Sequence, residues 1–275
     1  MKKQTSAFIM RTGVRIAAFF TAGILFLIVG DILINGIVNL TPDIFAWKYN
    51  STNVSLMPAL INTVSMTALS LLFAVPMGIG SAIYLAEYAK RGSRFVSLIR
   101  VTTETLAGIP SIIYGLFGLL FFVTWCHIGI SLLAGSLTLS MMILPLIIRT
   151  SEEALRTVPD SYREGSFGLG AGQLRTVFCV VLPAAAPGIL AGIVLAIGRI
   201  AGETAALIYT AGTVAEIATN LGASARTLSV HMYVLSSEGL YMKQSYATAV
   251  ILLIIVAGMN GLSALAARRL TNGKV

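Results

Sequence analysis

The sequence predicts an all-α polytopic membrane protein with six transmembrane helices, and three observations carry that prediction. Of the 275 residues, 56% are hydrophobic and only 11% charged, against about 45–50% and about 25% in an ordinary soluble domain. So little charge cannot cover a water-soluble fold, which excludes soluble globular, disordered and collagen-like classes. Apolar stretches long enough to cross a bilayer, about 20 residues each, recur at about 14–38, 59–86, 101–125, 132–150, 184–212 and 246–267. Finally, the Lys and Arg residues gather on one side of these stretches, as the positive-inside rule requires of a spanning chain.

The first span follows a basic segment and could be mistaken for a signal peptide. Its apolar run exceeds the 7–15 residues of such a segment and no small-residue cleavage site ends it, so it reads as a retained helix. The second ends in a cluster of basic residues. The third and fourth are separated only by 126–131, which has few turn signals. The fifth and sixth are apolar all round, so periodicity adds little to their boundaries.

With the N-terminus placed in the cytoplasm, four basic groups lie inside. They are Lys2, Lys3, Arg11 and Arg15; Lys90, Arg91, Arg94 and Arg100; Arg149, Arg156, Arg163 and Arg175; and Arg268, Arg269 and Lys274. These are fifteen of the 19 basic residues; Lys48, Arg226 and Lys243 fall outside and Arg199 lies within span five. The bias predicts an N-in/C-in topology. Residues 1–58 then form a cytoplasmic tail, the first helix and an external loop. Residues 59–267 form a five-helix core, and 268–275 a basic cytoplasmic tail.

Composition also excludes several chemistries. The net charge of +8 is scattered over separate loops and makes no basic patch for nucleic acid. Cys126 and Cys179 fall on opposite sides of the bilayer, too far apart for a disulfide, and His127 and His231 are isolated, so no metal site is expected. The glycine-rich run Gly165–Gly172 lacks the lysine and the preceding strand of a phosphate loop. With no nucleophile–base arrangement either, no catalytic site is expected.

One loop is out of proportion. About 33 residues, 151–183, separate spans four and five on the cytoplasmic side, and a loop of that length in a compact fold is usually functional. Pro159-Asp160-Ser161 is a helix-start signal, and Ser161 with Glu164 has capping-box spacing. Gly168 and Gly170 supply a turn, and 171–182 reads as a second helix before Pro183. Two short helices joined at a glycine turn make a protruding knob; an amphipathic hairpin resting on the bilayer is the alternative.

This loop resembles the cytoplasmic loop of permeases of bacterial ATP-binding cassette importers, Glu-Ala-Ala, three residues, Gly, nine residues, Ile-x-Leu-Pro. Glu164 begins the motif, Gly170 sits six residues on, and Val180-Val181-Leu182-Pro183 closes it. Gly165-Ser166 replaces the usual two alanines and Val180 the isoleucine, lowering helix propensity locally. Gly108–Gly118, Gly198–Ala206 and Ser229–Gly239 resemble permease subunits of the phosphate importer, the last stretch most closely the PstA-like kind.

The resemblance implies a type I ABC importer permease (MetI-like) fold in a bacterial plasma membrane. It implies that Arg163, Glu164, Gly165, Gly168, Gly170, Leu182 and Pro183 form the loop that docks on the ATPase. The implied partners are a PstC-like permease, two PstB-like ATPases, a PstS-like phosphate-binding protein and inorganic phosphate. No cofactor is implied in this chain, since ATP and Mg belong to the partner ATPase.

Four ionisable residues fall within spans, where charge is costly. Asp31 and Glu104 sit near span ends and read as interfacial, Glu104 within reach of Arg100. Arg199 and Glu203 lie in the middle of span five at i, i+4 spacing, on one helix face. They are either a self-neutralising pair or, with the adjoining Thr204, part of a substrate pathway. Guanidinium groups bind phosphate oxygens bidentately, and a carboxylate accepts the proton of hydrogen phosphate but repels sulfate. Gly188, Gly192, Gly198 and Gly202 form two Gly-x-x-x-Gly steps that permit close helix approach. An importer of another oxyanion (molybdate or sulfate), half of an ion-coupled secondary transporter, and a membrane scaffold without transport are the remaining readings.

Overall fold

The computed structural model describes residues 2–90 and 92–272 and is helical throughout, with eleven α-helices among those residues. Arg91 and Lys274 lie outside the described residues. The helices are α1 (Lys2–Ile37), α2 (Met57–Ile83), α3 (Arg94–Ala107), α4 (Ser111–Gly118), α5 (Leu132–Arg156), α6 (Asp160–Gly168), α7 (Gln173–Thr176), α8 (Leu182–Ala201), α9 (Ala205–Thr210), α10 (Leu228–Glu238) and α11 (Met242–Asn272). Five stretches are long and apolar enough to cross a membrane: Met10–Ile37, Met57–Tyr88, Leu132–Arg156, Gln173–Ala201 and Met242–Gly261. A sixth counts only if α3 and Ser111–Trp125, bent 101° at their junction, form one span.

That bend corrects the continuous third span expected over 101–125. Pro110 has no N–H to donate and disfavours helical geometry at the residue before it, and Gly108 caps α3 just ahead. The helix therefore stops at Ala107 and restarts at Ser111 in a new direction. Two other boundaries move. Span four runs on through Arg156, six residues into the segment read as loop. From 268 the chain continues α11 as far as Asn272.

Span five differs at both ends. The separate helix expected before Pro183 is fused to it: α7 passes through a π-helical turn at Val177–Val181 straight into α8. Proline in a helix removes one i→i−4 bond and crowds the carbonyl four residues back. The wider i→i+5 spacing just ahead of Pro183 lets the helix run through it. At the other end the span breaks: α8 stops at Ala201, and α9 begins four residues later.

The core centres on α5, the most buried of the apolar stretches, flanked by α2 and α8. Within a bilayer burying apolar surface against other helices gains little over lipid, so close packing and interhelical hydrogen bonds supply the association. Small residues make the approach possible. A Cβ at Gly78 would overlap Ile147 of α5, one at Gly188 would meet the Ala154 Cβ at 2.7 Å, and one at Gly192 would overlap the Thr150 side chain. Ser140 of α5 donates to the Ser70 carbonyl of α2 at 3.0 Å. The first glycine step of α8 is thus explained by packing within the chain; Gly198 and Gly202 meet only Asn260 at 3.4 Å and the Gly198 carbonyl at 3.8 Å.

At the end opposite the knob, residues 211–227 fold back against α2 and α5. Asn62 donates to the Glu216 carbonyl at 2.8 Å and accepts from the Ala218 amide at 3.0 Å, and Leu132 donates to Ala223 at 2.8 Å. Arg226, read as an external loop residue, is buried. Its Nε donates to the Thr213 carbonyl at 2.7 Å, and its guanidinium lies 5.7 Å from the Tyr49 ring centroid. Helix α1 stands apart, its apolar surface unburied, touching α11 where Tyr246 donates to Asp31 at 3.2 Å.

Replacing Gly192 by valine should lower the apparent melting temperature of the detergent-purified chain. The forced shift corresponds to about 1–3 kcal/mol. Gly165→Ala, on a helix where a new Cβ meets nothing within 4 Å, should leave it unchanged or raise it.

Candidate functional site: a broken membrane helix and a clamped knob

Two polar arrangements stand out, one at each end of the continuous helix Gln173–Ala201. The first is the break in span five. Arg199 occupies the last turn of α8, where the helix dipole favours a cation. Gly202 ends the helix, and Glu203 and Thr204 are non-helical. The Glu203 side chain turns forward: its Oε1 accepts from the Thr204 and Ala206 amides, each at 3.2 Å, and so caps α9. The Glu203 carbonyl accepts from the Ser229 hydroxyl at 2.6 Å, and the residue is 9% exposed.

Arg199 and Glu203 do not form the self-neutralising pair that was one of the two readings of their i, i+4 spacing, because that spacing holds only along an unbroken helix. Glu203 caps the start of α9, while Arg199 has only the dipole at the end of α8 beside it. Among the described residues no carboxylate lies within 4.0 Å of the Arg199 guanidinium, all ion pairs being made elsewhere. Thr204 lies in the break with its hydroxyl 3.5 Å from the Gly202 carbonyl. Ser111–Gly118 packs onto this break with no room to spare, since a Cβ at Gly115 would stand 2.8 Å from Ala206 Cα.

The second arrangement is the knob. Helix α6 starts at Asp160 after Pro159, with no side-chain cap, so the capping box expected of Ser161 and Glu164 does not form. Gly170, at φ +82°, makes the turn, a conformation that costs a side chain but not glycine. Gly168 is simply the last residue of α6, and Gly165 stays helical despite its low propensity. Glu164 and Gly165 are exposed. Leu182 packs into the cluster formed by Leu155, Val177 and Val181, with Pro183 beside it.

Arg163 points the other way, into the body of the protein. Its Nη2 lies 2.6 Å from Glu87 Oε1 and its Nε 3.1 Å from Glu87 Oε2. The same guanidinium donates to the carbonyls of Val158 at 2.7 Å and Leu155 at 3.0 Å, and reaches Asp160 at 3.3 Å. Gln173 adds a bond to the Glu87 carbonyl at 2.8 Å. The Glu87 hydrogen bond outweighs burial and raises the pKa of Arg163 above its ordinary value, so the group stays charged. One side chain thus ties the knob to the end of span two and to the end of α5. Nearby, Arg100 pairs with Glu152 of α5 at 2.8 Å and not with Glu104, which is exposed on α3.

Sequence reading selected Arg163 for the knob but missed Glu87 and Glu152, whose partners lie 76 and 52 residues away. It also missed Asn62. A lone acidic residue at the end of an apolar span was the only signal for Glu87.

Several helices long and apolar enough to cross a membrane, two of them broken, with a polar knob at one end, mark a multi-pass helical membrane protein. The model of one family, the binding-protein-dependent transport system inner membrane component, matches residues 74–272. The chain belongs to that family. It is 32% identical over 240 residues to the probable ABC transporter permease protein YqgI of Bacillus subtilis, covering 82% of this chain and 81% of the relative. It is 33% identical to the phosphate transport system permease protein PstA of Haemophilus influenzae, covering 79% and 76%. The fold matches a bacterial ABC transporter that imports alginate (TM-score 0.66, 17% identity, 95% of this chain and 97% of that one). It also matches the inward-facing MetNI methionine ABC transporter (TM-score 0.61, 24% identity, 76% and 93%). The expected importer-permease fold is thereby shown.

Removing one partner of a partly buried ion pair costs more than the ~0–1 kcal/mol of a surface pair and less than the about 3–5 kcal/mol of a fully buried one. Arg163→Ala and Glu87→Ala should each make residues 157–172 protease-sensitive and lower the melting temperature. The double variant should lose less than the sum of the two. Additive losses would mean that the pair is not coupled.

Proposed function

We propose that this chain is one permease subunit of an ATP-driven importer of inorganic phosphate in a bacterial plasma membrane, with both termini cytoplasmic. The relatives named as phosphate permeases support the substrate. The observation that carries it to particular residues is the Arg199 guanidinium, which stands beside a helix break with no acidic partner. An unpaired cation in a membrane helix is expensive, and a visiting oxyanion supplies the missing charge. Glu203 spends Oε1 on α9 and has Oε2 left to accept the proton of hydrogen phosphate. Sulfate carries no such proton at neutral pH and would be repelled. Thr204 offers a hydroxyl at the same break.

The pathway is shared with a second, PstC-like permease, since one chain of this size encloses only half of it. A PstS-like binding protein delivers phosphate at the outer face. Two PstB-like ATPases, which bind ATP and Mg, engage the knobs. Helix α6 presents Glu164 and Gly165 to them, with exposed Tyr162, Phe167 and Leu169 as apolar anchors. Arg163 faces inward and carries the push to span two, while Gly168, Gly170, Leu182 and Pro183 shape the elbow. No step needs a catalytic group, a metal or nucleic acid in this chain; the lipid bilayer is its solvent.

Reconstitution with the paired permease, ATPase and binding protein should give ATP-dependent uptake of labelled phosphate. Arg199→Ala should abolish most of it, since one charge-assisted contact is worth about 1.5–3 kcal/mol, or roughly 10- to 100-fold. Glu203→Gln should admit sulfate. Wild-type selectivity in Glu203→Gln would refute the role given to Glu203, and uptake driven by an ion gradient without ATP would refute the importer reading.

A further inference from the structure

At the knob end a polar cavity of about 820 Å³ opens between the end of span two, the start of α3 and the knob. That volume falls in the range of small-molecule sites, about 300–1,000 Å³. Four basic residues line it: Lys90, Arg100, Arg156 and Arg163. Their neutralisation is unequal. Arg163 is matched by Glu87 and Asp160. Arg100 and Arg156 share a single carboxylate oxygen, Glu152 Oε1, at 2.8 and 3.0 Å. Lys90 has no carboxylate within 4.0 Å among the described residues, and no acidic residue other than Glu87 and Asp160 lines the cavity. With Glu152 counted, four cations face three carboxylates, so the site holds about one positive charge in excess, and that excess lies on the side of Lys90, Arg100 and Arg156.

Its position gives the ligand. Helix α3 presents Ser93, Val96, Ser97 and Arg100 to the cavity. Its other face exposes Phe95, Leu98 and Val101, each more than half accessible. A helix apolar on one side and polar on the other, bent about 100° from the apolar segment that follows, lies in the bilayer interface. The cavity mouth is then at headgroup depth, with acyl chains able to run along Phe95 and Leu98.

We infer that this cavity binds a phosphate group at the bilayer surface, that of an anionic phospholipid headgroup, held by Lys90, Arg100 and Arg156. Clusters of Lys and Arg between helices at the membrane surface take such headgroups. Free inorganic phosphate carries the same chemistry and is the other source. This inference goes beyond the transport reading and stands without it, because neither Arg199 nor Glu203 is involved.

The test is native mass spectrometry of the full chain in detergent with equimolar dioleoylphosphatidylglycerol and dioleoylphosphatidylcholine, with and without millimolar inorganic phosphate. Wild type should retain phosphatidylglycerol preferentially. Lys90→Gln should cut that preference about fivefold, the value of one basic residue near an anionic surface, and Lys90→Arg should restore it. Lys90 is exposed and has no structural partner, so the variant should fold; an unchanged melting temperature would verify that. Phosphatidylglycerol displaced by inorganic phosphate in wild type but not in Lys90→Gln supports the site with the free anion as occupant. Equal retention of both lipids with no phosphate effect, or a preference unmoved by Lys90→Gln, overturns the inference.

Discussion

The partly buried ion pair between Arg163 and Glu87 is the interaction on which the rest of this architecture depends. Helices in a bilayer are not pressed together by water, so an element that protrudes from the bundle needs a specific tie to move with it. The Arg163 guanidinium supplies one, spending its donors on Glu87, on Asp160 and on the Leu155 and Val158 carbonyls near the end of α5. Orphan carbonyls at a helix C-terminus must be met by some donor. Here the donor comes from the knob, so satisfying α5 and fixing α6 are one event. A lysine would bring a point charge and no fork, and would leave part of this set unmet.

Beyond the glycine turn that follows the clamp, a single helix runs on to the break in span five. Gln173–Ala201 is continuous despite Pro183 and Pro187, because the π-helical turn at Val177–Val181 absorbs the first and the flank against α5 supports the second. Gly188 and Gly192 hold this rod against Ala154 and Thr150, close to the segment that Arg163 caps. Its far end is the break that carries Arg199, Glu203 and Thr204. Under the function proposed above, a displacement of the knob would reach Arg199 through this helix and its packed seam with α5.

The spans were legible in the sequence wherever run length alone decides: α2, α5, α8 and α11 fall where apolar stretches reach about 20 residues. Features that depend on distant partners were not. Glu152 and Arg156 fell in the segment read as loop, yet Glu152 is buried by Arg100 and Arg156 and the helix continues through them. The pairing of Arg199 with Glu203, one of the two readings their spacing allowed, needs a helix across Gly202 that the structure breaks. The same holds for Gly108-Ile109-Pro110, whose helix-stopping chemistry was visible but outweighed by the apolar run around it. Glu87 could not have been chosen from the chain alone, since what makes it special is a guanidinium 76 residues on.

The most direct measurement of whether the knob and span two move as one body is a spin-label distance between positions 84 and 169. Tyr84→Cys and Leu169→Cys, both at exposed sites, would be labelled in a chain with Cys126 and Cys179 replaced and assembled with its ATPase and paired permease. A clamp through Arg163 and Glu87 predicts a single, unshifted distance distribution in the nucleotide-free and ATP-trapped states, and a broadened one in Glu87→Ala. A second, well-separated distance appearing with ATP in the otherwise unaltered chain would contradict it, because the knob would then swing free of the helix it is held to drive.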